Sequence, residues 1–303
     1  VSTIGEFLAK SNLRGTWKEG EPLAGHTTFR IGGPADVMVF PVTAGDVRTI
    51  QSLCLQEAIP LTVLGRGANV LVSDAGIRGI TLNLTSLNAW AHEDGVFTAQ
   101  AGLDVSAAAE AGRENGFSCL EFLNGMPSTV GGAVYMNARC YGAEVADLFL
   151  EATVVENGQE RAVLFRKEEW AYKISPFQNR GGIIVEAKFR ARPAAPAEVE
   201  AVMTANKADR EAKGHFRLPC AGSVFKNNHD FGAPSGVLID RVGLKGLRRG
   251  RAVVSGWHAN IIVNEGGASA ADLRALIADV KRRVADATGF TLEEEVLYLG
   301  DWS

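Results

Sequence analysis

The chain has 303 residues, 46% of them hydrophobic and 22% charged, with a formal net charge of −4. That length accommodates two or three domains with cores of ordinary size, and the mild acidic balance gives no support to a nucleic-acid or anionic-membrane partner while leaving room for a local basic cleft. No apolar run approaches the roughly 18 residues of a membrane span, and the opening VSTIGEFLAK lacks the basic, long-apolar pattern of a secretory signal, so a cytoplasmic location is expected.

In chain order, residues 46–59 read as an amphipathic helix with Val47, Ile50, Leu53 and Cys54 on one stripe, stopped by Pro60 and followed at once by a strand, LTVLG. Alternation over 76–84 and 95–103 predicts further strands, and the alanine-rich stretch 104–116 predicts a helix closed by Gly116. Strand signals dominate from 150 to 190, with a hairpin around Asn157-Gly158 and a continuous strand in GGIIVEAKFRA. Two prolines and small residues at 192–200 mark a domain boundary. Beyond it come a charged helix through Ala212, a polar loop at 220–236, VLIDRVG as a short strand or helix, and strands RAVVS and ANIIVN. A last helix is capped by Ser269 with Asp272 three residues on, carries Leu273, Leu276, Ile277, Val280 and Val284 on one face, and ends at Gly289.

Two glycine-rich loops carry the strongest hint of chemistry. GMPSTVGGAVYMNARCYG, residues 125–142, has the composition of a backbone that touches a ligand: successive N–H groups can form an anion nest, with Ser128 and Thr129 adding hydroxyls, although a tight turn into a buried strand fits as well. VLGRGANVLVSDAG, residues 63–76, confines Gly65, Arg66, Gly67, Ala68 and Asn69 between two apolar strands, where a pyrophosphate has room against the main chain and a guanidinium can pair with it. It is neither a Walker loop nor a dinucleotide fingerprint.

In AGSVFKNN, the hydroxyl of Ser223, the cation of Lys226 and the carboxamide of Asn227 can converge on one ligand, or simply form a solvated loop. Cys54, Cys119, Cys140 and Cys220 lack CxxC spacing and the five histidines lack HExxH, so neither a disulfide framework nor a metal is expected. Of the histidines, His258 opens HANIIVN at the mouth of a strand and can present its ring to a ligand. In the tail LEEEVLYLG, Glu293, Glu295, Leu297 and Leu299 fall on one side of an expected strand; burial would raise the pKa of Glu295 and suit it to proton transfer, while an exposed edge strand fits the pattern equally.

Taken together, TTFRIGGPAD, VLGRGANVLVSD, LEFLNGMPSTVGGAVYMNARCYG, YKISPF, AGSVFKN, VSGWHANIIVN and LEEEV, spread over residues 20–300 in this order, strongly resemble the UDP-N-acetylenolpyruvoylglucosamine reductase family in its compact second type. The resemblance implies an α+β fold: an FAD-binding region of the vanillyl-alcohol-oxidase and cresol-methylhydroxylase type over 1–195, in two subdomains split near 75–85, a smaller α/β substrate-binding domain over 196–290, and a tail, 291–303, returning to the first region. It implies NADPH-dependent, FAD-mediated reduction of UDP-N-acetylglucosamine enolpyruvate to UDP-N-acetylmuramate, a step of peptidoglycan precursor synthesis, by a monomer that engages neither nucleic acid nor membrane.

By the same resemblance, Ser223 is the proton donor and Glu295 the carboxyl residue that orients or polarises the intermediate, with Lys173 at the position where the family has arginine. Tyr172, Lys226, Asn227 and His258 would bind the sugar nucleotide. Arg30, Gly65, Arg66, Gly67, Ala68, Asn69, Val70, Leu71, Met126, Pro127, Ser128, Val130, Gly131 and Gly132 would bind FAD. Lysine at 173 keeps the charge but loses the planar fork. Arg139, where the family has glycine, either reaches toward the active site or points to solvent. Two other readings stay open: a flavin-bound sugar-nucleotide sensor without turnover, and a generic FAD-linked oxidase, which would have no need of a proton donor such as Ser223.

Overall fold

The computed structural model describes residues 3–302. Its described residues form two compact units: residues 3–19, 37–66 and 79–208 cluster in the first, and residues 20–36, 67–78 and 209–302 in the second. Each has its own apolar core.

The first unit contains α1 (Thr3–Lys10), α2 (Ala44–Gln56), α3 (Val105–Asn115), α4 (Val130–Tyr135) and α5 (Pro196–Ala212) as far as Ala208. Its main sheet is antiparallel, in the order Gln159–Leu164, Phe149–Glu156, Ile183–Arg190, Val96–Gln100, Trp90–Glu93. Along Ile183–Arg190 the first three residues are all buried, and from Val185 on the pattern alternates: Val185, Ala187 and Phe189 are buried while Glu186, Lys188 and Arg190 are not. The hairpin at Asn157-Gly158 forms as expected, with Glu156 paired to Gln159 and φ of 51° and 73° at the two turn residues. Buried Gln51 of α2 pins it, donating to Val155 O and accepting from Gly158 N. A second sheet runs Thr16–Pro22, Pro34–Phe40, Ile77–Asn83, Leu61–Leu64.

The second unit holds an antiparallel sheet, Cys220–Ser223, Ile261–Asn264, Ala252–Val254, Arg248–Arg249, with α6 (Ser235–Arg241) and α7 (Ala270–Thr288). VLIDRVG is therefore helical. Helix α7 follows its sequence closely: Ser269 and Asp272 form a capping box, Gly289 takes the left-handed C-cap at φ 75°, and Leu273, Leu276, Ile277, Val280 and Val284 are all buried. Asp74 completes its N-terminus from a distant segment, one carboxylate oxygen accepting from Ala270 N at 2.8 Å and the other from Ala271 N at 3.0 Å.

The tail departs from the expected strand. Only Leu297–Leu299 is a strand, parallel to Val70–Val72, and it is Val296 that is buried while Leu297 lies exposed. Residues 293–295 instead run beside 224–226, which removes them from a regular ladder and its two-residue alternation.

Candidate flavin and substrate site

In the first unit, Gly65 lies against the N-cap of α4: a Cβ there would come within 2.6 Å of Thr129 Oγ1, which itself accepts from Gly132 N at 3.2 Å. Arg66 Nη1 sits 2.9 Å from Asp104 Oδ2, while Asp104 Oδ1 caps α3 through Ser106 N and Ala107 N. One carboxylate thus fixes a helix start and holds the loop guanidinium. Gly131 permits α4 to lie flush on residue 101, since a Cβ would meet Ala101 Cβ at 2.8 Å.

The expected nest of free N–H groups at 125–132 does not form. Gly125 N donates to Ser106 Oγ, Met126 N to Leu123 O, Ser128 N to Met126 O, Val130 N to Leu103 O and Gly131 N to Ala101 O. Glycine here serves close packing, and the loop has shape and side chains rather than main-chain donors to offer a ligand. Free donors lie on the other loop. Among the described residues, no backbone N–H from Gly65 to Asn69 donates a hydrogen bond, so that turn suits a pyrophosphate.

The second unit carries the rest of that loop. Gly67 is at φ 62° and a Cβ would lie 2.3 Å from His26 O, so only glycine fits; its carbonyl accepts from Thr28 N. Arg30 is held at φ 55° by Arg30 N donating to Thr27 O, a left-handed conformation costly for arginine and characteristic of functional loops. Leu71 and, in the first unit, Val130 are fully buried in their cores, so each has only its backbone to offer a cofactor.

Ser223, Lys226 and Glu295 come together within the second unit. Glu295 N donates to Val224 O at 2.7 Å and Lys226 N to Glu293 O at 2.9 Å, with Lys226 Nζ 2.6 Å from Glu293 Oε1. Gly222, at φ 69°, and a register shift between Cys220 and Ser223 turn the strand end where Ser223 sits half-buried. Asn69 Nδ2 donates to Glu295 O at 2.9 Å, joining the glycine-rich loop to the same run. Glu295 is half-buried rather than enclosed.

Asn227 Oδ1 accepts from Ser235 N, so part of its carboxamide holds the loop ahead of α6. His258 Nδ1 accepts from Asn260 N at 3.2 Å, and its ring centre is 6.1 Å from that of His215. Burial, assisted by the charges of Lys213 and Lys245, lowers its pKa and favours the neutral ring. Asn260, which sequence reasoning passed over for His258, does the stapling: its side chain accepts from Phe225 N and donates to Phe225 O. A second carboxamide flanked by apolar residues in HANIIVN was the available signal.

Tyr172 and Lys173 form a separate patch in the first unit. They are the central residues of a turn in which Ile174 N donates to Ala171 O, and Lys173 stands at φ 60°. Asn137, Ser175 and Gln178 clamp it. Asn137 Nδ2 donates to Ala171 O at 2.9 Å, Ser175 Oγ to Tyr135 O at 2.7 Å, and Gln178 Nε2 to both Tyr135 O and Lys173 O at 3.0 Å. None of the three was singled out from sequence, because each acts on backbone 34–43 residues away or on a turn whose conformation was not foreseen.

Residues 214–299 match the family described as UDP-N-acetylenolpyruvoylglucosamine reductase, C-terminal domain, and residues 35–162 match an FAD binding domain. A Treponema denticola UDP-N-acetylenolpyruvoylglucosamine reductase is 39% identical, over 95% of each chain, and the Borreliella burgdorferi enzyme of that name is 36% identical, over 98% of each. The chain belongs to the UDP-N-acetylenolpyruvoylglucosamine reductase family. The crystal structure of the Thermus caldophilus reductase superposes with a TM-score of 0.77 at 30% identity, covering 95% of this chain and 99% of that one. An FAD-binding domain followed by a reductase-specific domain is found, as expected, and the protein is a flavin-dependent oxidoreductase of this reductase family.

Proposed function

We propose that the protein reduces UDP-N-acetylglucosamine enolpyruvate to UDP-N-acetylmuramate with NADPH, supplying a peptidoglycan precursor. What supports the residue roles is the side-by-side run of 223–226 and 293–295, which keeps a hydroxyl, an ammonium and carboxylates within one small region of the second unit. FAD, when bound, accepts electrons from NADPH and delivers them to the enolpyruvyl double bond. Arg30, Gly65 to Leu71, Met126, Pro127, Ser128, Val130, Gly131 and Gly132 would hold it, the N–H groups of the 65–69 turn and the Arg66 guanidinium being suited to a pyrophosphate.

Reduction of the enol ether adds one hydrogen with two electrons at the methylene carbon and one proton at the carbon bearing the carboxylate. Ser223 Oγ–H supplies that proton. Glu295 polarises or orients the enolate-like intermediate, and Lys226, whose Nζ lies 2.6 Å from Glu293 Oε1, binds the sugar nucleotide. Tyr172, Lys173, Asn227 and His258 bind the sugar nucleotide, with His258 donating through Nε2 because its Nδ1 is already an acceptor. The protein acts as a cytoplasmic monomer; no helix among the described residues is long and apolar enough to cross a membrane.

Anaerobic stopped-flow absorbance tests this reading. NADPH should bleach the flavin, and the enolpyruvyl nucleotide should restore its colour with formation of the muramate product. Bleaching without recovery, when nucleotide binding is shown independently, would favour a sensor, and rapid recovery by oxygen alone would favour an oxidase.

A further inference from the structure

Arg139 stands beside the Tyr172–Lys173 turn. Its Cζ lies over the Tyr172 ring, 5.9 Å from the centroid, within the range of a cation–π contact. Glu144, across the short hairpin, approaches Nη1 only to 4.0 Å, too far for a hydrogen bond. The side chain is 46% exposed, so its donor edge is open to a ligand.

The backbone around it is held with unusual care for an exposed hairpin. Asn137, at φ 41°, is fully buried, donates to Ala171 O and accepts from Ala146 N, tying both flanks of the hairpin to the turn that carries Tyr172 and Lys173. Tyr141, at φ 54°, donates its hydroxyl to Asn206 O at 3.0 Å and anchors the hairpin tip. With Lys173 at φ 60°, this patch gathers left-handed non-glycine residues, and such strain persists where the surroundings are built to fix a position.

The two cations are not equivalent. An ammonium neutralises a carboxylate as a point charge, whereas a guanidinium presents parallel N–H donors that also fix the carboxylate plane. We propose that Arg139 is a substrate-binding residue that grips the enolpyruvyl carboxylate in a two-pronged contact beside Lys173, and so sets the plane of the double bond. This rests on the reductase reading above. It makes Arg139 a specificity determinant as well: it separates nucleotide sugars that carry a carboxylate from UDP-N-acetylglucosamine, which carries none.

Calorimetric titration compares binding of UDP-N-acetylmuramate and UDP-N-acetylglucosamine to the FAD-loaded wild type and to R139A, R139Q, R139K and R139A/K173R. Loss of a charge-assisted contact predicts roughly 10–100-fold weaker binding of the carboxylate-bearing nucleotide to R139A and R139Q, with little change for UDP-N-acetylglucosamine. R139K should recover only part, and K173R in the R139A background most of the loss, because it returns a fork to the same turn. The KM for NADPH, whose phosphates are the competing oxyanion, should stay at the wild-type value.

A change below twofold, an equal loss for both nucleotides, or a loss confined to NADPH would overturn the assignment. Failure of the wild type itself to turn over the enolpyruvyl nucleotide would instead overturn the reductase reading, so the two failures are distinct. Flavin content and far-UV circular dichroism, run on every variant, separate misfolding from lost contact, and K173R rescue remains decisive if R139A is poorly folded.

Discussion

Replacing Asp74 with alanine removes both acceptors that close the first turn of α7. Of the first N–H groups of that helix, Ala270 and Ala271 donate to Asp74, whereas Asp272 and Leu273 are served by Ser269 Oγ and Ser269 O. Ala270 is fully buried, so its N–H would be stranded, while exposed Ala271 could turn to water. A stranded donor costs about 1–3 kcal/mol, and loss of a carboxylate at a helix N-terminus adds about 0.3–1 kcal/mol. Because Asp74 is itself exposed, a total of about 2 kcal/mol is expected. With a urea m-value of roughly 3 kcal/mol/M for a chain of this size, the midpoint should fall by about 0.7 M. Asp74→Asn, which keeps one acceptor for Ala270 N, should lose about half as much. Urea titration read by far-UV circular dichroism and by flavin release checks both. A shift in Asp74→Ala below about 0.1 M, or an asparagine variant as damaged as alanine, would refute the reasoning.

Ser223→Ala should leave flavin reduction by NADPH unchanged and slow reoxidation by the enolpyruvyl nucleotide about 10²–10⁴-fold, the usual worth of a positioned acid; equal slowing of both half-reactions would refute the proton-donor role. His215 is lowered to about 4 by burial and then by the charge of Arg210, so between about pH 6.5 and 4 the unfolded chain binds the extra proton. Stability should therefore decrease as the pH is lowered through that window, by about 2 kcal/mol after allowance for partial solvent access, and His215→Gln should flatten the decrease in urea titrations at pH 7 and pH 4.5. Gly131→Ala, whose methyl would lie 2.8 Å from Ala101 Cβ, should cost about 1–3 kcal/mol and weaken FAD retention. Fluorescence of released flavin reads the effect, and Ala101→Gly should restore part of it.

What could be read from sequence was what the chain decides locally. Ser269, Asp272 and Gly289 bracket α7 because caps act within a few residues, and Asn157-Gly158 makes its turn because both residues tolerate positive φ. Distant pairing left no such trace. Nothing in VLVSD announces that Asp74 caps the start of a helix 196 residues later, nor does LEEEV show that Glu295 N would find Val224 O. The glycines of 125–132 were read as donors because composition cannot distinguish a backbone exposed to ligand from one packed against Ala101. The Ser223, Lys226 and Glu295 grouping was legible only as separate motifs, and the clamp of Asn137, Ser175 and Gln178 was invisible because its acceptors are carbonyls, which every residue has.

The second unit is assembled from three separated stretches of chain, and this has a consequence for synthesis. Residues 70–72 leave the ribosome long before their parallel partner, Leu297–Leu299, and the helix that Asp74 caps. At ordinary translation speeds the delay between them is roughly 10–50 s. Throughout that time the glycine-rich loop leads into a strand with an open edge, which is prone to pair with other chains. The 70–72 strand therefore gains its partner only once residues 297–299 have been made, so slow or interrupted synthesis past residue 209 should release chains whose first unit is complete but whose 70–72 strand is unpaired.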